Sequence, residues 1–131
     1  MKKKVLLVDD SNTVLMMEKM ILSKEPFEII VARDGLEAIE KAKREQPDVI
    51  LLDVMMPRLD GLSACAAIRA DAATAHIPII MVTTRGEESN IETAFRNGCN
   101  DYVTKPINGL ELLTKLQSIL GSDAAAVAVT K

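Results

Sequence analysis

Five polar side chains with the makings of one reactive centre each stand at the end of a short apolar run. Asp9 and Asp10 follow Val5-Leu6-Leu7-Val8, Asp53 follows Val49-Ile50-Leu51-Leu52, Thr83 follows the run from Ile77 to Val82, and Lys105 comes shortly after Tyr102-Val103. Brought together, three carboxylates repel, and withdrawing them from water adds a desolvation cost. A divalent cation resolves that conflict. Hard oxygen ligands suit Mg²⁺, which favours octahedral geometry and keeps several waters, leaving room for a phosphate donor. The Lys105 ammonium would then pair with a carboxylate or with the phosphoryl group that joins it.

The elements that would gather these groups are legible in the hydrophobic pattern. The continuous apolar runs at Val5–Val8, Phe27–Val31, Val49–Leu52 and Ile77–Val82, with a weaker fifth at Tyr102-Val103, are what a parallel sheet covered on both faces requires. Between them lie segments with helical spacing, such as Val14, Met17, Ile21 and Leu36, Ile39, Ala42. Ser11 or Asn12 can cap the first helix, Asp34-Gly35 turns into the second, Gln46-Pro47 closes it, and Asp60-Gly61 precedes the third. Asn97-Gly98 ends the fourth, and Asn108 caps a fifth that runs to Leu120 before Gly121. The pattern predicts five βα repeats: a doubly wound α/β domain, (βα)5, with five parallel strands and helices on both faces. In such sheets functional groups collect at the carboxyl ends of the strands, near the point where strand order reverses. The polar residues named above occupy those ends.

Length and composition narrow the class. The 131 residues carry 16 Lys and Arg against 19 Asp and Glu, a net charge of −3, with 48% hydrophobic residues and three aromatics, Phe27, Phe95 and Tyr102. One domain with one interior fits this length, here residues 1–121, with 122–131 as a flexible C-terminal tail or linker stub. The apolar share excludes disorder, and no run approaches the ~18 residues needed to span a bilayer. The stretch after Met1-Lys2-Lys3-Lys4 is too short for a secretory h-region, and Cys65 and Cys99 lack metal-ligand spacing. Free thiols and a cytoplasmic location are the expectation. Without a basic block, no direct nucleic-acid contact is expected either.

Five motifs in order carry a resemblance. Val-Asp-Asp-Ser at 8–11, Leu-Leu-Asp-Val-Met-Met-Pro at 51–57, Asp-Gly at 60–61, Val-Thr-Thr at 82–84 and Tyr-Val-Thr-Lys-Pro at 102–106 resemble the receiver domain of two-component response regulators, the CheY-like family with a flavodoxin-like fold. The likeness runs from about residue 4 to about residue 120. It implies that Asp53 is a phospho-acceptor, taking a phosphoryl group from the phosphohistidine of a sensor histidine kinase or phosphotransfer protein. It implies a Mg²⁺ ion held by Asp10, Asp53 and the backbone carbonyl of Met55, with Asp9 acting through water. Thr83 and Lys105 would contact phosphoryl oxygens, and the domain would catalyse its own phosphorylation and dephosphorylation. Thr83 and Tyr102 would form the switch, with the surface of the fourth helix, fifth strand and fifth helix changing shape to regulate a downstream protein, a linked output domain or a phosphorylation-dependent dimer. The resemblance further implies a cis peptide before Pro106. Thr84 stands where the family has a small residue, which would narrow access to the site.

Other readings of the same residues are weaker. A pseudo-receiver that signals without phosphate would have lost acids or the lysine, and both are kept. A Mg²⁺-dependent aspartyl-phosphate phosphatase needs a second acid two residues after its nucleophile, where Met55 stands. A nucleotide or flavin carrier calls for a glycine-rich loop after the first strand, and Asp-Asp-Ser-Asn is not one. The methionines Met16, Met17 and Met20 read as gap-filling or face-covering side chains, and His76 as a loop residue.

Overall fold

The computed structural model of the chain describes residues 2–84 and 87–121. Strands and helices alternate: β1 (Lys4–Val8), α1 (Asn12–Leu22), β2 (Glu28–Ala32), α2 (Gly35–Glu45), β3 (Val49–Asp53), α3 (Gly61–Ala70), β4 (Ile79–Thr84), α4 (Glu88–Arg96), β5 (Asp101–Lys105) and α5 (Gly109–Leu120). The strands pair in parallel in the order β2-β1-β3-β4-β5. The order reverses beside β1, so the crevice at the carboxyl ends of β1 and β3 is the topological switch point. The tail expected at 122–131 lies outside the described residues.

Residue parity sorts the interior into two layers, because neighbouring strand side chains point to opposite faces. Leu6, Val8, Ile50, Leu52, Ile79 and Met81 pack against Ala38, Ala42, Ala64, Ile68 and Ala94 of α2, α3 and α4. Val5, Leu7, Val49, Leu51, Ile80, Val82 and Val103 pack against Leu15, Leu22, Leu112 and Leu116 of α1 and α5. The central β3 is buried along its whole length, whereas the edge strands β2 and β5 each bury one residue fully.

Four helices start where the capping residues predict. Ser11, Asp34, Asp60 and Asn108 each accept the backbone N–H three residues on, at 2.8–3.2 Å. α4 follows Glu87, which makes no side-chain cap hydrogen bond. The apolar stripes read from the sequence turn inward only in part. On α1 the fully buried residues are Leu15, Glu18 and Leu22, with Ile21 of the expected set packed at the edge of the core and Met17 exposed; on α2 Ala42 is buried and Ile39 packs on the core as expected, joined by Gly35 and Ala38, while Leu36 is exposed. Both segments contain a second set of residues at helical spacing, and contact with the sheet decides which one turns inward. On α1 this leaves Met16, Met17 and Met20 facing solvent.

Candidate functional site

Asp9 lies one residue beyond β1, where its amide extends the ladder to the Ala32 carbonyl at 3.1 Å. Its carboxylate is 1% exposed as a residue, and Oδ1 accepts the Ser11 amide at 2.9 Å. Asp10 is exposed. Asp53 closes β3 and is buried, opposite Val82 of β4. The carboxylate oxygens of Asp9, Asp10 and Asp53 come within 4.8 Å of one another.

Lys105, last in β5, points its ammonium at this group. Nζ lies 3.0 Å from Asp53 Oδ1 and 3.4 Å from Asp9 Oδ2, an ion pair to each. Burial alone would lower the Lys105 pKa, but the attraction of Asp53, helped by Asp9, holds it above the ordinary lysine value. One ammonium does not balance three acids. Burial, then the charge of Asp9, push Asp53 up to about 6 against the opposing pull of Lys105.

Thr83 is 2% exposed and its Oγ1 has no hydrogen-bond partner, a state that costs about 1–3 kcal/mol when a buried hydroxyl is left unpaired. The carbonyl of Met55 accepts no hydrogen bond among the described residues, although the adjoining Val54 carbonyl takes the Gly61 amide at 2.8 Å. The three clustered carboxylates are an all-oxygen set that fits a hard cation, and the unpartnered Thr83 hydroxyl near the end of the adjoining β4 is a donor for an anionic oxygen group. Thr84 is exposed at the rim, and the Lys105–Pro106 peptide is cis.

Tyr102 sits further back. It pairs in register with Met81, and its parity places it on the same sheet face as Thr83, two residues along β4. Its half-buried ring meets the Phe95 ring of α4 edge-on at 6.1 Å, and the Lys115 ammonium lies 4.8 Å from its centroid.

Glu18 is the residue that sequence reasoning missed. It lies one turn beyond Val14 on α1, 1% exposed, with Oε1 unpartnered. Burial, then the negative charge of Asp9, push its pKa up to about 8, with Lys105 opposing and Asp53 adding to the rise. The only signal available was an acid at the turn position between Leu15 and Leu22.

Acidic groups at the end of a parallel sheet occur in many folds, so the resemblance of the whole chain is what discriminates. A family model described as the response regulator receiver domain matches residues 5–117. Protein PilH of Pseudomonas aeruginosa is 36% identical over 89% of the chain and 97% of its own length. The alkaline phosphatase synthesis transcriptional regulatory protein PhoP of Bacillus subtilis is 38% identical over 92% of the chain, which spans only 49% of that regulator. Among solved structures, the chemotaxis protein CheY4 of Vibrio cholerae superposes with a TM-score of 0.83 at 34% identity, over 91% of this chain and 99% of that one. The receiver domain of a Pseudomonas aeruginosa sensor histidine kinase, solved with a magnesium ion coordinated in its active-site cleft, reaches 0.85 at 33% identity, over 93% and 100%. A match of this extent, carried by the same βα order that assembles the acids, establishes that the chain belongs to the receiver-domain family of two-component response regulators.

Proposed function

We propose that this chain is a phosphorylation-controlled switch in which Asp53 accepts a phosphoryl group from a phosphohistidine of a sensor histidine kinase or phosphotransfer protein. A carboxylate oxygen of Asp53 forms the new O–P bond as the N–P bond breaks, and the bonding electrons leave with the imidazole nitrogen. An acyl phosphate on Asp53 is the product. The carrying observation is the cluster itself: three carboxylates within 4.8 Å, with the Lys105 ammonium 3.0 Å from Asp53.

Each neighbour then has a task. Asp10, exposed, Asp53 and the free carbonyl of Met55 would hold Mg²⁺ directly. Asp9, with Oδ1 already engaged by Ser11 and Oδ2 beside Lys105, would act through water. Bound there, Mg²⁺ supplies charge neutralisation for the carboxylates and the phosphoryl oxygens. Thr83 would give its unpartnered hydroxyl to one phosphoryl oxygen, and Lys105 would release Asp53 Oδ1 to hold another.

Switching follows from the shared face of Thr83 and Tyr102. Drawing Thr83 toward the phosphoryl group opens space that the Tyr102 ring enters, and the edge contact with Phe95 carries that movement to α4. The surface of α4, β5 and α5 is thereby remodelled, a population shift bounded by how differently the two states bind the phosphoryl group. Its reader is a separate protein, a linked output domain or a second copy of the chain, in the cytoplasm. No helix of the described residues is long and apolar enough to cross a membrane.

Acetyl phosphate with Mg²⁺ should add one phosphoryl mass to the wild type, and Asp53→Asn should remove it. Unchanged mass in the wild type, with beryllofluoride and Mg²⁺ also leaving the Tyr102 and Thr83 resonances in place, would sink the switch reading.

A further inference from the structure

The free carbonyl of Met55 belongs to the loop between β3 and α3, and that loop has few ties to the sheet. Val54 N bonds the Val82 carbonyl at 3.1 Å and Gly61 N bonds the Val54 carbonyl at 2.8 Å, which closes the base. Between them, the only hydrogen bond within the loop itself is Leu59 N to the Pro57 carbonyl at 2.7 Å. The apex is held instead from the neighbouring β2–α2 turn. Gly35 N donates to the Leu59 carbonyl at 3.0 Å, and the Arg58 guanidinium lies 2.8 Å from Asp34 Oδ2.

Two features show that this junction is constrained. Arg58 has φ 66°, a left-handed conformation that disfavours a long side chain and is kept only where its surroundings over-determine it. A Cβ on Gly35 would stand 2.2 Å from the Leu59 carbonyl oxygen, so only glycine allows the approach. Asp34 is also fixed. Its Oδ1 accepts Glu37 N at 2.9 Å as the α2 cap while Oδ2 takes Arg58, so the loop apex is tied to the start of a packed helix.

We infer that Arg58 and Gly35 are positioning residues for the metal: with Asp34 they clamp the β3–α3 loop from the side and hold the Met55 carbonyl beside Asp10 and Asp53. The inference rests on the Mg²⁺ reading of the site and adds to it a clamp outside the ligand set. Outer groups that orient a ligand change metal affinity by about tenfold or more when removed.

The experiment is Mg²⁺ titration by calorimetry of wild type, Arg58→Ala, Arg58→Lys and Gly35→Ala, with thermal unfolding and amide exchange of the metal-free proteins alongside. Arg58→Ala removes an exposed side chain and folds as the wild type does. It should weaken Mg²⁺ binding about tenfold and speed exchange of the Gly35 amide in the metal-free protein, with little change in Tm. Arg58→Lys, which keeps a cation for Asp34, should recover most of the affinity, and Gly35→Ala should lose at least as much as Arg58→Ala. Unchanged Mg²⁺ affinity in Arg58→Ala while the wild type binds the ion overturns the clamp, and so does a lowered Tm with Gly35 exchange and affinity both unmoved. A wild type that binds no Mg²⁺ overturns the metal reading, and the clamp with it.

Discussion

Glu18 is a carboxyl buried where a helix meets its sheet, without a partner for Oε1 and with the acids of the site close enough to repel its charge. An unpaired buried carboxylate is costly enough that the group takes a proton instead. An acid whose folded pKa exceeds its unfolded value stabilises the fold fully below the unfolded value and loses that contribution as pH rises through the folded one. For Glu18 that window runs from 4.5 to about 8. Metal-free wild type should therefore lose stability with rising pH across it, by about 1.4 kcal/mol per unit from this group. Glu18→Leu should flatten the slope and be more stable than wild type at pH 8, as read by urea unfolding at pH 5 and pH 8. Identical slopes in the two proteins would show that the carboxyl is solvated or paired. Asp53 adds the same sign between 3.8 and about 6, so with Asp53 as a proposed ligand a proton there would compete with Mg²⁺ in mildly acid solution.

At the scale of elements, α3 shows how local chemistry places the site. Asp60 caps it and Gly61 opens it, and a Cβ on Gly61 would stand 1.9 Å from the carbonyl oxygen of Asp53. The first turn of α3 is thus laid directly on the backbone of Asp53, the proposed phospho-acceptor. Gly61→Ala should destabilise the fold by about 2–3 kcal/mol and slow labelling of Asp53 by acetyl phosphate. Gly109→Ala, at the matching first position of α5, is the control. Its Cβ would find Ile21 at 3.4 Å, an ordinary contact, and stability should stay within about 0.5 kcal/mol of wild type. Equal effects at the two glycines would contradict this account. The caps and turn residues were readable because they act through their own chain neighbours. The burial of α1 was not, since Val14, Met17 and Ile21 and the set Leu15, Glu18 and Leu22 both have helical spacing, and only the approach of β1 and α5 chooses between them.

For the molecule as a whole, the charge balance and the site are one matter. Apart from Asp9, Asp10 and Asp53, the remaining acids equal the 16 basic residues, so the net charge of −3 corresponds in number to the acids at the carboxyl edge of the sheet. Neutralising that edge should stabilise the fold. At about one hundred times its Kd, Mg²⁺ should raise unfolding free energy by about 2.7 kcal/mol, reversed by chelator and largely lost in Asp10→Ala. A thermal shift of equal size in wild type and Asp10→Ala would remove Asp10 from the ligand set.

The amino-acid order by itself determined the βα alternation, four of the helix starts and the identity of the strand-end residues, because continuous apolar runs, capping side chains and turn glycines act over a few residues. It also carried the family likeness, since each motif is a short local string. Tertiary structure alone decided three things: that Lys105 reaches both Asp53 and Asp9, that the Thr83 hydroxyl is left unpartnered, and that Glu18 is buried near the acids while Arg58 and Gly35 join the β3–α3 loop to the start of α2. Those relations join residues from different strands, helices and loops. They depend on strand order and on the rotation of each helix against the sheet, which are properties of packing that no local spacing encodes.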